Sequence, residues 1–206
     1  MDYYNYLMKI VLFGDHFPER AIFSQKFSTK FRVQGKMVNG VDLASKDISV
    51  DDHKVRLQIW DFGGQERFKY FIPNYVHGAQ GGLFLYNVTN RRSIDHIDDW
   101  LSLIRKEIPE DIFPIIAVGI VPDEGCERQV ASEEAIAIVK SRNLNGFVEC
   151  NLKTGENIEK AFEAITRLVL ECGGYLDLYR KEQTRLDKLL YQRQNLKEKL
   201  DKIKKK

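Results

Sequence analysis

Cysteine, proline and tryptophan are all scarce in this chain of 206 residues, which holds three, five and two of them. Cys126, Cys150 and Cys172 are an odd set without short paired spacing, so neither a disulfide framework nor a thiolate zinc site is expected and the thiols read as reduced. Long hydrophobic runs are missing as well. No stretch reaches the roughly 18 consecutive apolar residues of a membrane span, and Met1 to Tyr6 has no basic segment leading into an apolar run, so the chain reads as cytoplasmic. The histidines His16, His53, His77 and His96 lack carboxylate or cysteine neighbours at ligand spacing and are expected on solvated surface. A strong charge of either sign is also absent, the net value being +2. Residues 180–206 nevertheless hold eleven Lys/Arg against four Asp/Glu, a surplus of +7 that leaves −5 for the remainder. That division excludes a domain basic all over, of the kind that reads nucleic acid, and points to a mildly acidic globular part with a basic appendage.

What is present is an alternation of strand-like and helix-like segments. Hydrophobic residues at 43% and charged residues at 30% suit one compact core. Tyr6 to Phe13 is an apolar run ending at Gly14 and predicts a strand buried on both faces. Pro18 opens an amphipathic stretch with Ile22, Phe23, Phe27 and Phe31 at helical spacing. Val41 to Val50 and Val55 to Trp60, joined by Asp51-Asp52-His53, predict a hairpin. Gly82 to Val88, Phe113 to Val121 and Gly146 to Cys150 read as further strands. Helices are expected behind a Ser93 cap (Ile94, Ile97, Leu101, Ile104, Ile108), over Ser132 to Arg142, and from near Asn157. The expected class is α/β, a six-stranded, mostly parallel sheet with helices on both faces. Ligands of such sheets sit outside the carboxyl ends of the strands, which gathers Gly14, Asp61 and the loop after Val121 around one crevice.

Lys9 to Gly14 (KIVLFG), Leu57 to Phe68 (LQIWDFGGQERF), Tyr86 to Thr89 (YNVT) and Phe147 to Phe162 (FVECNLKTGENIEKAF) resemble, in order and spacing, the landmarks of Ras-superfamily small GTPases, Rab-like ones in particular. The resemblance covers about residues 6 to 172, and the string Trp60 to Phe68 is similar to archaeal Rab-like relatives. It implies a P-loop NTPase fold of Ras type and a nucleotide site built from Gly14, Asp15, Glu19, Arg20, Ala21, Asp61, Gly64, Asp123 and Lys153.

Several of these positions depart from the family pattern. The phosphate loop follows G-x-x-x-x-G-K-[ST], in which glycines let backbone N–H groups approach phosphate, Lys neutralises it and a hydroxyl holds magnesium. Here Gly14 is kept, Glu19 replaces the second glycine, Arg20 replaces Lys, and Ala21 cannot ligate a metal. Pro18 removes one backbone donor. Val38 stands where the family places its second magnesium-binding hydroxyl, if Gly40-Val41-Asp42 matches G-V-D, which leaves Asp61 as the candidate magnesium ligand. The base-reading N-K-x-D corresponds to Ile120-Val121-Pro122-Asp123, and S-A-K to Asn151-Leu152-Lys153. Gln65 holds the water-orienting position and is expected to be vestigial, because catalysis of this kind is positioning and most of the positioning set is gone. Trp60, Phe62, Phe68, Tyr70, Phe71 and Tyr75 form an aromatic zone beside it, with Trp60 and Phe68 expected in the core and the exposed members serving either packing or a docking patch.

After a domain over residues 1–174, residues 175–206 carry a heptad pattern: Tyr175, Tyr179, Leu186, Leu189, Leu196, Leu200 and Ile203, with Glu182 and Arg193 interrupting. It predicts a long carboxyl-terminal helix of roughly 40 Å, favoured to pair with a second copy or with a partner over folding back as a single solvated helix or acting as a basic tail. The chain ends in Lys204-Lys205-Lys206 instead of a prenylated cysteine, so at most weak peripheral contact with anionic lipid is expected, and no specific nucleic acid. Three functions compete. The first is a pseudoGTPase scaffold that needs no cofactor and binds protein partners through its switch regions and terminal helix. The second is a weak GTP hydrolase binding GTP or GDP with magnesium, and the third a coiled-coil assembly protein.

Overall fold

The computed structural model describes residues 4–27 and 40–172, so the readings placed on Phe31, Val38 and the heptad segment lie outside the described residues. Its centre is a six-stranded sheet in the order β2-β3-β1-β4-β5-β6. The strands are β1 (Tyr6–Phe13), β2 (Asp42–Val50), β3 (His53–Asp61), β4 (Gly81–Asn87), β5 (Ile115–Val121) and β6 (Gly146–Asn151). β2 runs antiparallel to β3, and the other neighbours are parallel. The helices are α1 (Pro18–Phe27), α2 (Ile72–Val76), α3 (Arg92–Asp95), α4 (Ile97–Arg105), α5 (Ser132–Ser141) and α6 (Ile158–Glu171), with a 3₁₀ segment over Glu66–Phe71.

Two-sided burial of β1 dictates this layering. Met8, Ile10 and Leu12 alternate with Val11 and Phe13 across the strand, and all five are fully buried. Both faces therefore need a cover. On one face Phe27 of α1 stacks on Phe162 of α6 with ring centroids 3.5 Å apart, and Phe23 lies 5.6 Å from the same ring. On the other, Val11, Phe13 and Phe84 share a core with Val76, Trp100, Leu101, Ile104 and Val139. Each buried phenylalanine contributes about 2–3 kcal/mol by leaving water.

Several expected boundaries shift for local reasons. The helix placed behind Ser93 is two helices broken at His96. Ser93 lies inside the first of them and caps neither, since its hydroxyl accepts the Asn87 N–H at 2.9 Å and donates to Asn90 O at 2.6 Å. β5 starts at Ile115, not Phe113, because Pro114 has no N–H to give a ladder. His53 pairs with Val50 inside the hairpin, leaving Asp51 and Asp52 as the turn, with Asp51 at φ 52. Ile22, expected on the inner face of α1, is 44% exposed, while Phe23 and Phe27 alone carry the apolar packing of that helix. The parallel strands deliver the loops after β1, β3, β4, β5 and β6 to one edge of the sheet.

Candidate functional site

The loop after β1 begins at Gly14, which has φ +125; a Cβ there would lie 2.2 Å from the Leu85 carbonyl oxygen of β4. Only glycine lets the chain turn so close to a neighbouring strand. Asp15 follows, and its carboxylate is drawn towards α4: Trp100 Nε1 donates to it at 2.8 Å, and His96 Nδ1 lies 2.7 Å from its other oxygen. His16 Nδ1 is 2.9 Å from Gly63 O and must donate, because a carbonyl oxygen only accepts. His16 is exposed, as expected, and His96 half-buried, but both are tied into the site through these bonds. No local signal announced those roles, since the partners lie 47 and 81 residues away in sequence.

Pro18 opens α1, where its missing N–H costs no helical bond. Just inside the first turn, Arg20 is only 2% exposed. Its Nε donates to Asp61 Oδ1 at 2.8 Å and its Nη1 to Gly14 O at 3.1 Å. Asp61 Oδ1 also accepts the Gly63 N–H at 3.0 Å, and Asp61 Oδ2 accepts the Ser24 hydroxyl at 2.6 Å. Both oxygens of this buried carboxylate are therefore engaged by the protein itself. Ser24 escaped sequence reasoning. It stands four residues after Arg20, on the same face of α1, and that spacing was the available signal. Glu19 Oε2 accepts from Asn87 Nδ2 at 3.2 Å, tying the start of α1 to the end of β4. Ala21 presents only a methyl group, on an exposed position.

The turn after β3 closes onto this loop. Gly63 and Gly64 both take positive φ, and a Cβ on Gly64 would come within 2.4 Å of Asp15 C and His16 N. Gln65 is half-buried and its side-chain oxygen accepts from Arg67 Nε at 3.0 Å. Gly14, Asp15, Arg20, Asp61 and Gly64 are thus brought into one contact network. Asp123 and Lys153 stand apart from it, exposed after β5 and β6. Asp123 caps its own turn by accepting the Gly125 N–H at 2.9 Å. Ile120 is fully buried in β5, and the Leu152 N–H is donated to Val121 O at 2.9 Å. Asn151 Oδ1 accepts from the Lys153 and Thr154 N–H groups. Among the described residues no cluster of His, Cys, Asp and Glu has the arrangement of a metal site, and no helix is long and apolar enough to cross a membrane.

A model of the Ras family matches residues 9–171, most of the chain. The chain belongs to the Ras family. Its relatives are Rab-like: it is 34% identical to GTP-binding protein ypt3 of Schizosaccharomyces pombe, over 80% of this chain and 76% of the relative. It is 35% identical to Ras-related protein Rab-4 of Dictyostelium discoideum, over 80% of each. It is 36% identical to Ras-related protein RABA6b of Arabidopsis thaliana, over 77% of this chain and 69% of the relative. It is thus a Rab-like small GTPase by descent, with the Ras-type sheet expected of that family.

Rab-like GTPases bind protein partners through their switch regions, and the second of these is the aromatic zone after Asp61. Phe62 is core, at 2% exposed. Trp60 and Phe68, expected in the core, are only half-buried, as are Phe71 and Tyr75. Trp60 lies 6.1 Å from Tyr75 and Phe71 6.2 Å from Tyr75 between ring centroids, while Tyr70 packs against Phe71 and is 69% exposed. Lys9 covers part of the half-buried Trp60 ring. The Lys9 ammonium sits 3.8 Å above the indole and donates to Tyr75 O and His77 O at 2.6 and 2.8 Å. Partial burial lowers the Lys9 pKa, as desolvation disfavours the charged form.

Proposed function

We propose that this Rab-like chain is a pseudoGTPase: a small-GTPase fold that binds protein partners in signalling or trafficking-like processes without a nucleotide-driven cycle. The observation that carries the reading is the engagement of Asp61. Magnesium demands near-octahedral oxygen coordination, and a carboxylate serves it with free lone pairs. Here one oxygen of Asp61 accepts from Arg20 and Gly63, and the other from Ser24. Ala21 adds no oxygen. A guanidinium thus holds the carboxylate that the family gives to the metal, Glu19 adds a carboxylate at the start of α1, and Gly64 lies close against the Asp15–His16 backbone, where amides need to stand bare before phosphate. The residues present do not fit a magnesium-bound triphosphate. Ile120 and Val121 lack the amide and the lysine stem with which the family reads a guanine edge, which supports the same reading.

Partners are proteins, met through the aromatic face around Trp60, Phe71 and Tyr75, and the heptad-patterned residues 175–206 supply a second pairing element, a homodimer included. The rival reading, a GTP-binding switch with weak hydrolysis, draws on the names of relatives such as GTP-binding protein ypt3 and on the retained Gln65. Titration calorimetry with GDP and with GTP, each with magnesium, separates the two. The pseudoGTPase gives no binding heat at concentrations up to roughly 10 µM, whereas nanomolar affinity, or protein purified with stoichiometric GDP, establishes the switch instead.

A further inference from the structure

A nucleotide-driven switch needs its second switch turn to be loosely held, with few buried contacts and solvent-exposed backbone bonds. The turn after β3 is the opposite. The Gly63 peptide is gripped at both ends, its N–H by Asp61 Oδ1 at 3.0 Å and its C=O by His16 Nδ1 at 2.9 Å. Gly64 lies so near the Asp15–His16 backbone that no Cβ would fit between them. That loop is anchored in turn, because Asp15 is bound by Trp100 and His96 of the α4 region. The outer face of the Trp100 ring carries the Lys69 ammonium at 4.7 Å, and Lys69 pairs with Glu66 at 2.7 Å, which reaches the 3₁₀ segment itself. One cation closes this chain of contacts. Arg20, buried with Asp61, supplies the positive charge that pairs with that carboxylate, whose burial unpaired is costly.

We propose that Arg20 is a built-in cation that latches the Gly63–Gly64 turn onto the loop after β1, so that the aromatic face of Glu66–Val76 is held in one arrangement without any nucleotide. The inference rests on the pseudoGTPase reading and deepens it by naming what sets the partner face. Arg20 is a positioning residue here. It touches no partner, and acts through Asp61, with Ser24 holding the second oxygen of the same carboxylate.

Hydrogen exchange of the full chain, followed by mass spectrometry with and without GDP or GTP plus magnesium, tests both levels. Arg20→Met strands a buried carboxylate and unfolding is one outcome, so the double variant Arg20→Met/Asp61→Leu, which removes both charges, is measured beside it. Expected is exchange over Gly63–Phe71 faster by about tenfold or more in the double variant, with amides of β4 and β5 unchanged. A folded double variant that exchanges over Gly63–Phe71 at the wild-type rate overturns the latch and leaves the pseudoGTPase reading standing. The nucleotide arm reads the other level. Wild-type exchange over Gly63–Phe71 that is unchanged by nucleotide supports both, and exchange slowed by nucleotide overturns the pseudoGTPase reading, whatever the variants do.

Discussion

A methyl group added at Gly14 would meet the Leu85 carbonyl oxygen, which belongs to the sheet backbone and cannot swing aside. Gly14→Ala is expected to lower unfolding free energy by about 2–4 kcal/mol, combining steric overlap with an unfavourable positive φ. Gly78 offers the control. Its φ is +73 but no atom lies within 4 Å of where a Cβ would stand, so Gly78→Ala should cost only about 1 kcal/mol. Denaturant midpoints of the two variants check this, and equal losses would show that strain alone, not the close approach to Leu85, sets the requirement at Gly14. At this scale the sequence spoke clearly about kinds of residue and not about partners. Glu19, Arg20 and Ala21 were legible as departures in a phosphate loop, yet nothing short-range said that Arg20 would reach Asp61. The two are 41 positions apart, and their meeting depends on β1 and β3 lying side by side. Separations of 47 and 81 positions likewise hid the bonds of His16 and His96.

Among elements, α4 is joined to the end of α5 by an exposed ion pair, and its pH dependence is open to measurement. Arg142, just past α5, donates to Asp98 of α4 through Nε at 3.0 Å and Nη2 at 2.8 Å. Those hydrogen bonds hold the Asp98 carboxyl below its ordinary value of 3.8. A depressed folded-state pKa contributes stability that is complete above the ordinary value and disappears as pH falls through the depressed one. The two side chains are 35% and 61% exposed, so solvent screening limits the pair to about 0.2–1 kcal/mol. A double-mutant cycle on Asp98→Ala and Arg142→Ala should give that coupling at neutral pH and a diminishing one as pH falls through the depressed pKa of the carboxyl. A coupling that survives in acid would trace to packing of the arginine stem instead of charge. Elements themselves were largely legible, because period-two and period-3.6 burial are written in the chain. The break at His96 was not, since Ile94, Ile97 and Leu101 keep one apolar stripe across both α3 and α4.

For the molecule as a whole, the alternation of segments made the mostly parallel sheet legible, whereas its strand order and the internal closure of the site depend on contacts between distant segments. Residues 175–206 carry the remaining proposal. If their heptads pair two copies, the full chain should sediment at roughly twice the mass of its sequence, and a chain ending at Gly174 at the mass of one copy. Equal behaviour of the two would assign pairing to no part of that segment. The two tryptophans add a practical consequence. Trp100 lies fully buried with its indole N–H on Asp15, and Trp60 lies under the Lys9 ammonium at the partner face. Excited at wavelengths beyond tyrosine absorption, the chain therefore has two emitters, one buried against the loop after β1 and one at the rim. Quenching by a solute that cannot enter the fold would report contact at the rim, while a red shift of the protected emission would report the loop letting go, so the chain carries its own pair of optical gauges without any label.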